Sequence, residues 1–174
     1  SNELTAIPVL LEALLLKGAI VTIDAMGTHS NIAQAIVDKE ADYVLAGKDN
    51  QPRLAESITT FFAIGQAEGW KNTPHTYTES VEKDHGRLEI RRCWAFDQLA
   101  CLSEPRQWAN LRMFGVIEAE RTINGKTSQE RRLYIGSMAP DASALANVVR
   151  AHWGIENRVH WCLDVALNDD QMRA

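Results

Sequence analysis

The sequence predicts an α/β fold with an antiparallel β block set into it, and three observations carry that expectation. Two short apolar runs, at residues 19–23 and 42–46, alternate with stretches of helical spacing, the pattern of parallel strands joined by crossovers. Three β-rich stretches follow, at 87–96, 113–123 and 131–138, with Asn124-Gly125 between the last two as a hairpin signal. A long amphipathic run over 141–166 comes last and reads as a helix.

Each element has a local cause. Thr5 can cap a first helix with Pro8 in its first turn, and Ile7, Leu10, Leu11, Leu14 and Leu15 recur at helical spacing up to Gly18. The run Ala19-Ile20-Val21-Thr22-Ile23 is β-branched and apolar, a buried strand that stops at Asp24. Residues 30–40 read as a helix, 42–46 as a second buried strand, and 52–66 as a further helix. Residues 67–86 are polar, carry Gly69, Pro74 and Gly86, and are expected to form a loop. Residues 104–111, with Pro105 and Trp108, suit a short helix or turn. Asp141 or Ser143 can cap the last helix, and Pro140 marks its start.

Composition excludes several classes. The 174 residues are 45% hydrophobic and 24% charged, so the chain has a core to bury and is not expected to be disordered. The longest apolar stretch, around 7–16, is too short for a membrane span and contains Pro8 and Glu12, so no membrane partner is expected. No basic stretch followed by an apolar one opens the sequence. Cys93, Cys101 and Cys162 lack CxxC spacing and fit reduced thiols, so the cytoplasm is the expected compartment. The net charge of −5 argues against a simple nucleic-acid binder. That charge is uneven, however: residues 87–132 hold 9 basic and 6 acidic side chains, and all the basic ones except Lys126 are arginines. Arg87, Arg91, Arg92, Arg131 and Arg132 are therefore candidate phosphate contacts; the alternative is ordinary solvated strand faces.

Two carboxylates stand out. Asp24 lies at the carboxyl end of a buried strand, where open α/β sheets place ligand sites, although a turn-capping Asp has the same position. Glu156 sits inside the last helix with His152 and His160 at i−4 and i+4, so the three line one face. That row could hold a metal, or be a hydrogen-bonded polar stripe; it is not the HExxH arrangement of zinc proteases. Gly47-Lys48 lacks the spacing of a phosphate-binding loop.

Several blocks, in order, resemble a known family. Residues 1–8, Ile20-Val21-Thr22-Ile23-Asp24-Ala25-Met26-Gly27, Ala41-Asp42-Tyr43-Val44-Leu45, Lys48-Asp49-Asn50-Gln51 and His85-Gly86-Arg87 are similar to the H-repeat-associated insertion-sequence transposases. So is the long run from Val149 through Ala151-His152-Trp153-Gly154-Ile155-Glu156-Asn157-Arg158-Val159-His160-Trp161 to Val165. The resemblance implies a DDE transposase with a partial RNase H-like core, in which carboxylates hold Mg2+ or Mn2+ for phosphodiester cleavage and strand transfer. It makes Asp24 the second carboxylate and Glu156 the third, both catalytic and metal-binding. It implies a later half of the core in residues 1–66, a β-rich insertion in 67–140 and the Glu-bearing core helix in 141–174. DNA, as transposon ends and target, is the implied partner, with His152 and His160 as further candidate contacts. The family's first carboxylate lies in an upstream strand that has no counterpart here, so a fragment inactive by itself, prone to self-association, is expected. In the wider Tyr-x2-Arg-x3-Glu-x6-Lys signature this chain carries Val149, His152, Glu156 and Leu163, so the roles of that Tyr, Arg and Lys do not transfer. The competing readings are a non-catalytic DNA-binding remnant and an RNase H-like nuclease.

Overall fold

A computed structural model describes the backbone of residues 3–48 and 50–167 and the side chains of residues 5–48 and 50–154. The elements run α1 (Glu3–Ala13), β1 (Ile20–Ile23), α2 (Ser30–Asp38), β2 (Asp42–Gly47), α3 (Pro52–Ala67), β3 (Thr76–Asp84), β4 (Arg87–Phe96), β5 (Met113–Ile123), β6 (Lys126–Gly136) and α4 (Ala142–Leu167). All six strands form one sheet in the order β1-β2-β6-β5-β4-β3. β1 and β2 are parallel, with Ile23 opposite Leu45, as the alternating pattern predicts. The remaining neighbours are antiparallel.

The sheet carries a separate core on each face because strand side chains alternate. On one face Ile32 and Ile36 of α2 and Leu54, Ile58 and Phe62 of α3 pack against Tyr43, Leu45, Trp94, Phe96 and Phe114. On the other, Leu145 and Val149 of α4 cover Val44, Cys93, Met113 and Tyr134. α4 crosses the strands rather than following them. Its first residue, Ala142, donates its N–H to Thr76 Oγ1 of β3 (2.8 Å), Leu145 lies over Gly115 of β5, and His152 reaches Thr22 of β1. Asp141 caps α4, accepting the Ala144 N–H at 3.1 Å, one of the two caps the sequence offered.

The close approach at Gly115 fixes how deeply α4 sits. A Cβ there would lie 2.3 Å from Leu145 Cδ2 and 3.0 Å from the Trp94 carbonyl oxygen. Gly115→Ala is therefore expected to lose about 1–3 kcal/mol through overpacking. A lowered urea midpoint with an unchanged slope would show this, and an unaltered midpoint would contradict it.

The structure departs from the sequence expectations in several places. The antiparallel block is not a sheet of its own, because β6 pairs with β2 from Val44↔Gly136 to Gly47↔Leu133 and makes the sheet continuous. Residues 76–84, expected in a loop, form β3. This edge strand is polar and exposed, so no alternation betrays it, and it is held by register with β4 from Thr76↔Ala95 to Asp84↔Arg87. α1 begins at Glu3, which places Thr5 and Pro8 within it rather than at its cap and first turn. The hairpin at Asn124-Gly125 is present, with φ of 50° and 76°. β6 starts five residues earlier than its apolar half suggested. Residues 104–111 hold a 3-10 turn at Pro105–Gln107, as expected, and bury Trp108. Burial pushes the Cys93 thiol to about 12 and the Cys101 thiol to about 11, so both stay protonated, and both are free. Cys162 lies outside the described side chains. Among the described residues no helix is long and apolar enough to cross a membrane.

Candidate active site at the end of the first strand

β1 delivers Asp24 to the carboxyl edge of the parallel pair, and the chain turns there. Asp24 is extended (φ −70°, ψ 166°) and caps the 3-10 turn Ala25–Gly27, with its Oδ1 accepting the Ala25 N–H at 2.6 Å. The capping reading of Asp24 is thus realised, and the carboxylate remains exposed to solvent. Capping and ligand binding are compatible, since a carboxylate has lone pairs to spare beyond one N–H.

The turn after Asp24 is pinned by residues whose role was not visible in the sequence. Thr28 is fully buried and donates its hydroxyl to the Ala46 carbonyl at 2.6 Å. From the loop after β2, the Asn50 amide donates to the carbonyls of Ala25 and Thr28, and the Gln51 amide donates to Thr28 O at 3.1 Å. Two loops at the same end of the sheet are thereby tied together. The only signal for this was the Lys48-Asp49-Asn50-Gln51 block singled out by resemblance; Asp49 itself lies outside the described residues.

A small cleft of about 20 Å³ opens beside Asp24, lined by Thr22, Ala46, Tyr134, Val149, His152 and Trp153 among others. Thr22 Oγ1 and His152 Nδ1 are 2.9 Å apart, which anchors α4 to β1. Trp153 stands edge-on to the His152 ring and lies under the Arg132 guanidinium, 3.9 Å from the ring centroid. Arg132 in turn holds Glu130 at 2.8 Å. Burial raises the Tyr134 pKa, partly opposed by the Arg132 charge, so its phenol stays neutral. Glu156 falls one helical turn beyond His152 on α4, and His160 one turn further. Their side chains lie outside the described residues. Among the described residues no three His, Cys, Asp or Glu side chains come together as a metal cluster.

The candidate arginines do not form one basic face. Arg87, Arg91 and Arg132 project from the α4 side of the sheet, and Arg92 and Arg131 from the other. Arg92 is paired with Glu79 at 2.8 Å, and Arg131 with Glu118 at 2.6 Å. Arg87 and Arg91 converge with Arg121 on Glu89, whose side chain is 4% exposed. Burial alone would raise the Glu89 pKa, but the hydrogen bond from Arg87 and the charges of Arg91 and Arg121 outweigh it and hold it low. The cluster's stabilisation is therefore complete above the ordinary Glu range and is lost as pH falls through the lowered value.

Comparisons with known proteins identify the family. The model of the family described as "Transposase DDE domain" matches residues 1–174. The chain is 37% identical to the Escherichia coli (strain K12) protein named "H repeat-associated putative transposase YhhI", over 99% of this chain and 46% of that one. It is 38% identical to "Putative transposase YncI" of Escherichia coli O157:H7, over 99% of this chain and 45% of that one. A protein encoded in the dhlA 3' region of Xanthobacter autotrophicus is 40% identical over 81% of this chain and 46% of its own length. The chain spans about half the length of these relatives. No solved structure gives a significant match. The chain belongs to the transposase DDE domain family.

Proposed function

We propose that this chain is the part of a DNA transposase that carries two of its metal-binding carboxylates, Asp24 and Glu156, in a partial RNase H-like core. The observation that carries the reading is the Thr22–His152 contact. It sets the turn of α4 before Glu156 against the strand that ends in Asp24. The parallel β1/β2 pair, with α2 between its strands and α4 laid across it, supports the RNase H-like assignment. DDE transposase domains as a class use divalent metal ions. The exposed Asp24 carboxylate beside an open cleft is a hard oxygen donor suited to Mg2+ or Mn2+. When bound, the metal activates the attacking oxygen and stabilises the leaving oxygen of a phosphodiester. Asp24 and Glu156 would hold it. Asn50, Gln51 and Thr28 keep the Asp24 turn in place, and Thr22 orients the His152 ring at the cleft wall. His152 and His160 either contact DNA phosphate or orient Glu156.

Strand cleavage and strand transfer on DNA bearing transposon ends test the reading with the complete reading frame. Joined products together with metal-dependent cleavage support a transposase; cleavage without joining favours an RNase H-like nuclease, and DNA binding with neither favours a non-catalytic remnant. Because the Asn50 amide donates to the turn that follows Asp24, Asn50→Ala is expected to lower cleavage roughly tenfold through misplaced Asp24, at a stability cost of about 1 kcal/mol. Unchanged cleavage with the same loss of stability would reduce Asn50 to a structural role.

Self-association is part of the proposal. β1 is an edge strand of the sheet, and Val9, Leu10, Leu14, Leu15, Ile20 and Met26, from the segments before, within and after it, are exposed. Unpaired strand edges and contiguous apolar surface favour contacts with another chain. Light scattering is expected to give a mass above that of one chain, falling with Leu14→Glu/Leu15→Glu; a strict monomer at high concentration would contradict it. Cytoplasmic reduced thiols are the matching setting for the free Cys93 and Cys101.

A further inference from the structure

The cluster around Glu89 has no part in the site at Asp24, and its charge is not balanced. We propose that Arg87, Arg91 and Arg121, organised by Glu89, form a sequence-independent docking site for the DNA phosphate backbone on the α4 face of the sheet. The proposal rests on the transposase reading for the identity of the polyanion.

Register places the three arginines together. Arg87, Glu89 and Arg91 alternate along one face of β4, and Arg121 of β5 stands opposite Glu89. One buried carboxylate therefore meets three guanidiniums, leaving two positive charges uncompensated. The arginine side chains are 45%, 33% and 41% exposed for Arg87, Arg91 and Arg121, so each is gripped at one end and open to solvent. Arg121 Nε lies 3.2 Å from Glu89 Oε1 without hydrogen-bond alignment, so the ion pair positions Arg121 without using its outer N–H groups. A guanidinium has five donors in a fixed fork, enough to hold a carboxylate and a phosphate oxygen together. Ordering by Glu89 also removes part of the entropy cost of fixing a long side chain on binding.

The surroundings support a free positive patch. On the same face Glu82 is taken by Arg150 and Glu130 by Arg132, while Asp84, opposite Arg87 at the sheet edge, offsets part of the charge. Lys126, opposite Ile123, adds another cation there. The opposite face differs: Arg92 and Arg131 are matched by Glu79, Glu118 and Glu120. The α4 face carries more of the arginines, and pairing separates the two faces further.

The test is fluorescence anisotropy of the whole chain with a labelled duplex of mixed sequence, titrated with NaCl. Arg91→Gln/Arg121→Gln keeps Arg87 on Glu89. It is expected to weaken binding at least tenfold and to reduce the slope of log K against log salt by about two. Arg92→Gln/Arg131→Gln on the other face is expected to change affinity less than threefold, with the slope intact. If the glutamine pair fails to fold, Arg91→Lys/Arg121→Lys keeps the charge and is expected to retain the slope while losing affinity severalfold. Equal losses from the two faces, an unchanged slope in the Arg91/Arg121 pair, or no binding by the parent chain at low salt would each overturn the proposal. Metal-dependent cleavage by the complete reading frame is scored separately. Cleavage by the parent with binding unaltered in the Arg91/Arg121 variant defeats this docking site alone, and arginine-dependent binding with no cleavage by the parent defeats the transposase reading alone.

Discussion

Asp24→Asn is expected to reduce metal-dependent DNA strand cleavage by at least ~10³-fold when the complete reading frame is assayed, equivalent to about 4 kcal/mol of barrier. The substitution retains an amide oxygen to accept the Ala25 N–H, so the 3-10 turn stays capped and folding is little changed. It removes the negative charge, which is what a divalent cation needs. Loss of activity without loss of stability thus separates ligation from capping. The check is conversion of supercoiled plasmid by parent and variant in Mg2+ and in Mn2+, beside a thermal melt of each. Equal cleavage rates would show that the Asp24 carboxylate only caps a turn.

Phe62→Ala is expected to have the largest effect on stability. Phe62 is fully buried, and its ring lies 5.0 Å from that of Trp94, 5.2 Å from Trp70 and 6.4 Å from Phe96. The Arg131 guanidinium sits 4.9 Å from its centroid. Truncation leaves a cavity where α3 meets β4 and β6, at a cost of about 3–5 kcal/mol. For a chain of this size that lowers the melting temperature by roughly 10 °C. The variant also examines whether the parallel and antiparallel strands act as one body. One core spans both, so the melt should move as a single transition. A second transition, with one part unaffected, would mean that the β block is stable by itself.

The parts of this fold that were legible in the sequence are those where burial leaves a periodic trace. β1 and β2 are short apolar runs, and Asn124-Gly125 marks its hairpin because two consecutive residues with positive φ demand such a pair. The Asp141 cap is equally local. β3 left no trace: Thr76–Asp84 is polar and exposed, and what makes it a strand is backbone pairing with β4. Its clearest signal was the turn after it, where His85 and Gly86 have φ of 38° and 81°. The continuity of the sheet was hidden for a related reason, since the β2–β6 pairing joins residues about ninety positions apart.

The site divides in the same way. Asp24 could be found because it ends a short β-branched apolar run, although that run, expected to be buried, is an edge strand whose residues are half-buried to exposed; Glu156 could be found because it interrupts an apolar stretch of helix. The pinning roles of Thr28, Asn50 and Gln51 are not legible in the sequence, because they act through side-chain donation to carbonyls elsewhere in the chain, and sequence spacing says nothing about such bonds. Alternation already placed Arg87, Glu89 and Arg91 on one face. That Arg121 joins them, and that Arg92 and Arg131 are spent on glutamates, depends on cross-strand register.

The most direct test of the central claim is where a paramagnetic divalent cation settles on this chain. Mn2+ added in small amounts to isotopically labelled protein should broaden the amide resonances of residues 22–28 and 46–51 first. Asp24→Asn should abolish that pattern while leaving the rest of the spectrum intact. Broadening centred instead on Glu118, Glu120 and Glu130, or a pattern at residues 22–28 that survives Asp24→Asn, would contradict a metal site at the end of the first strand.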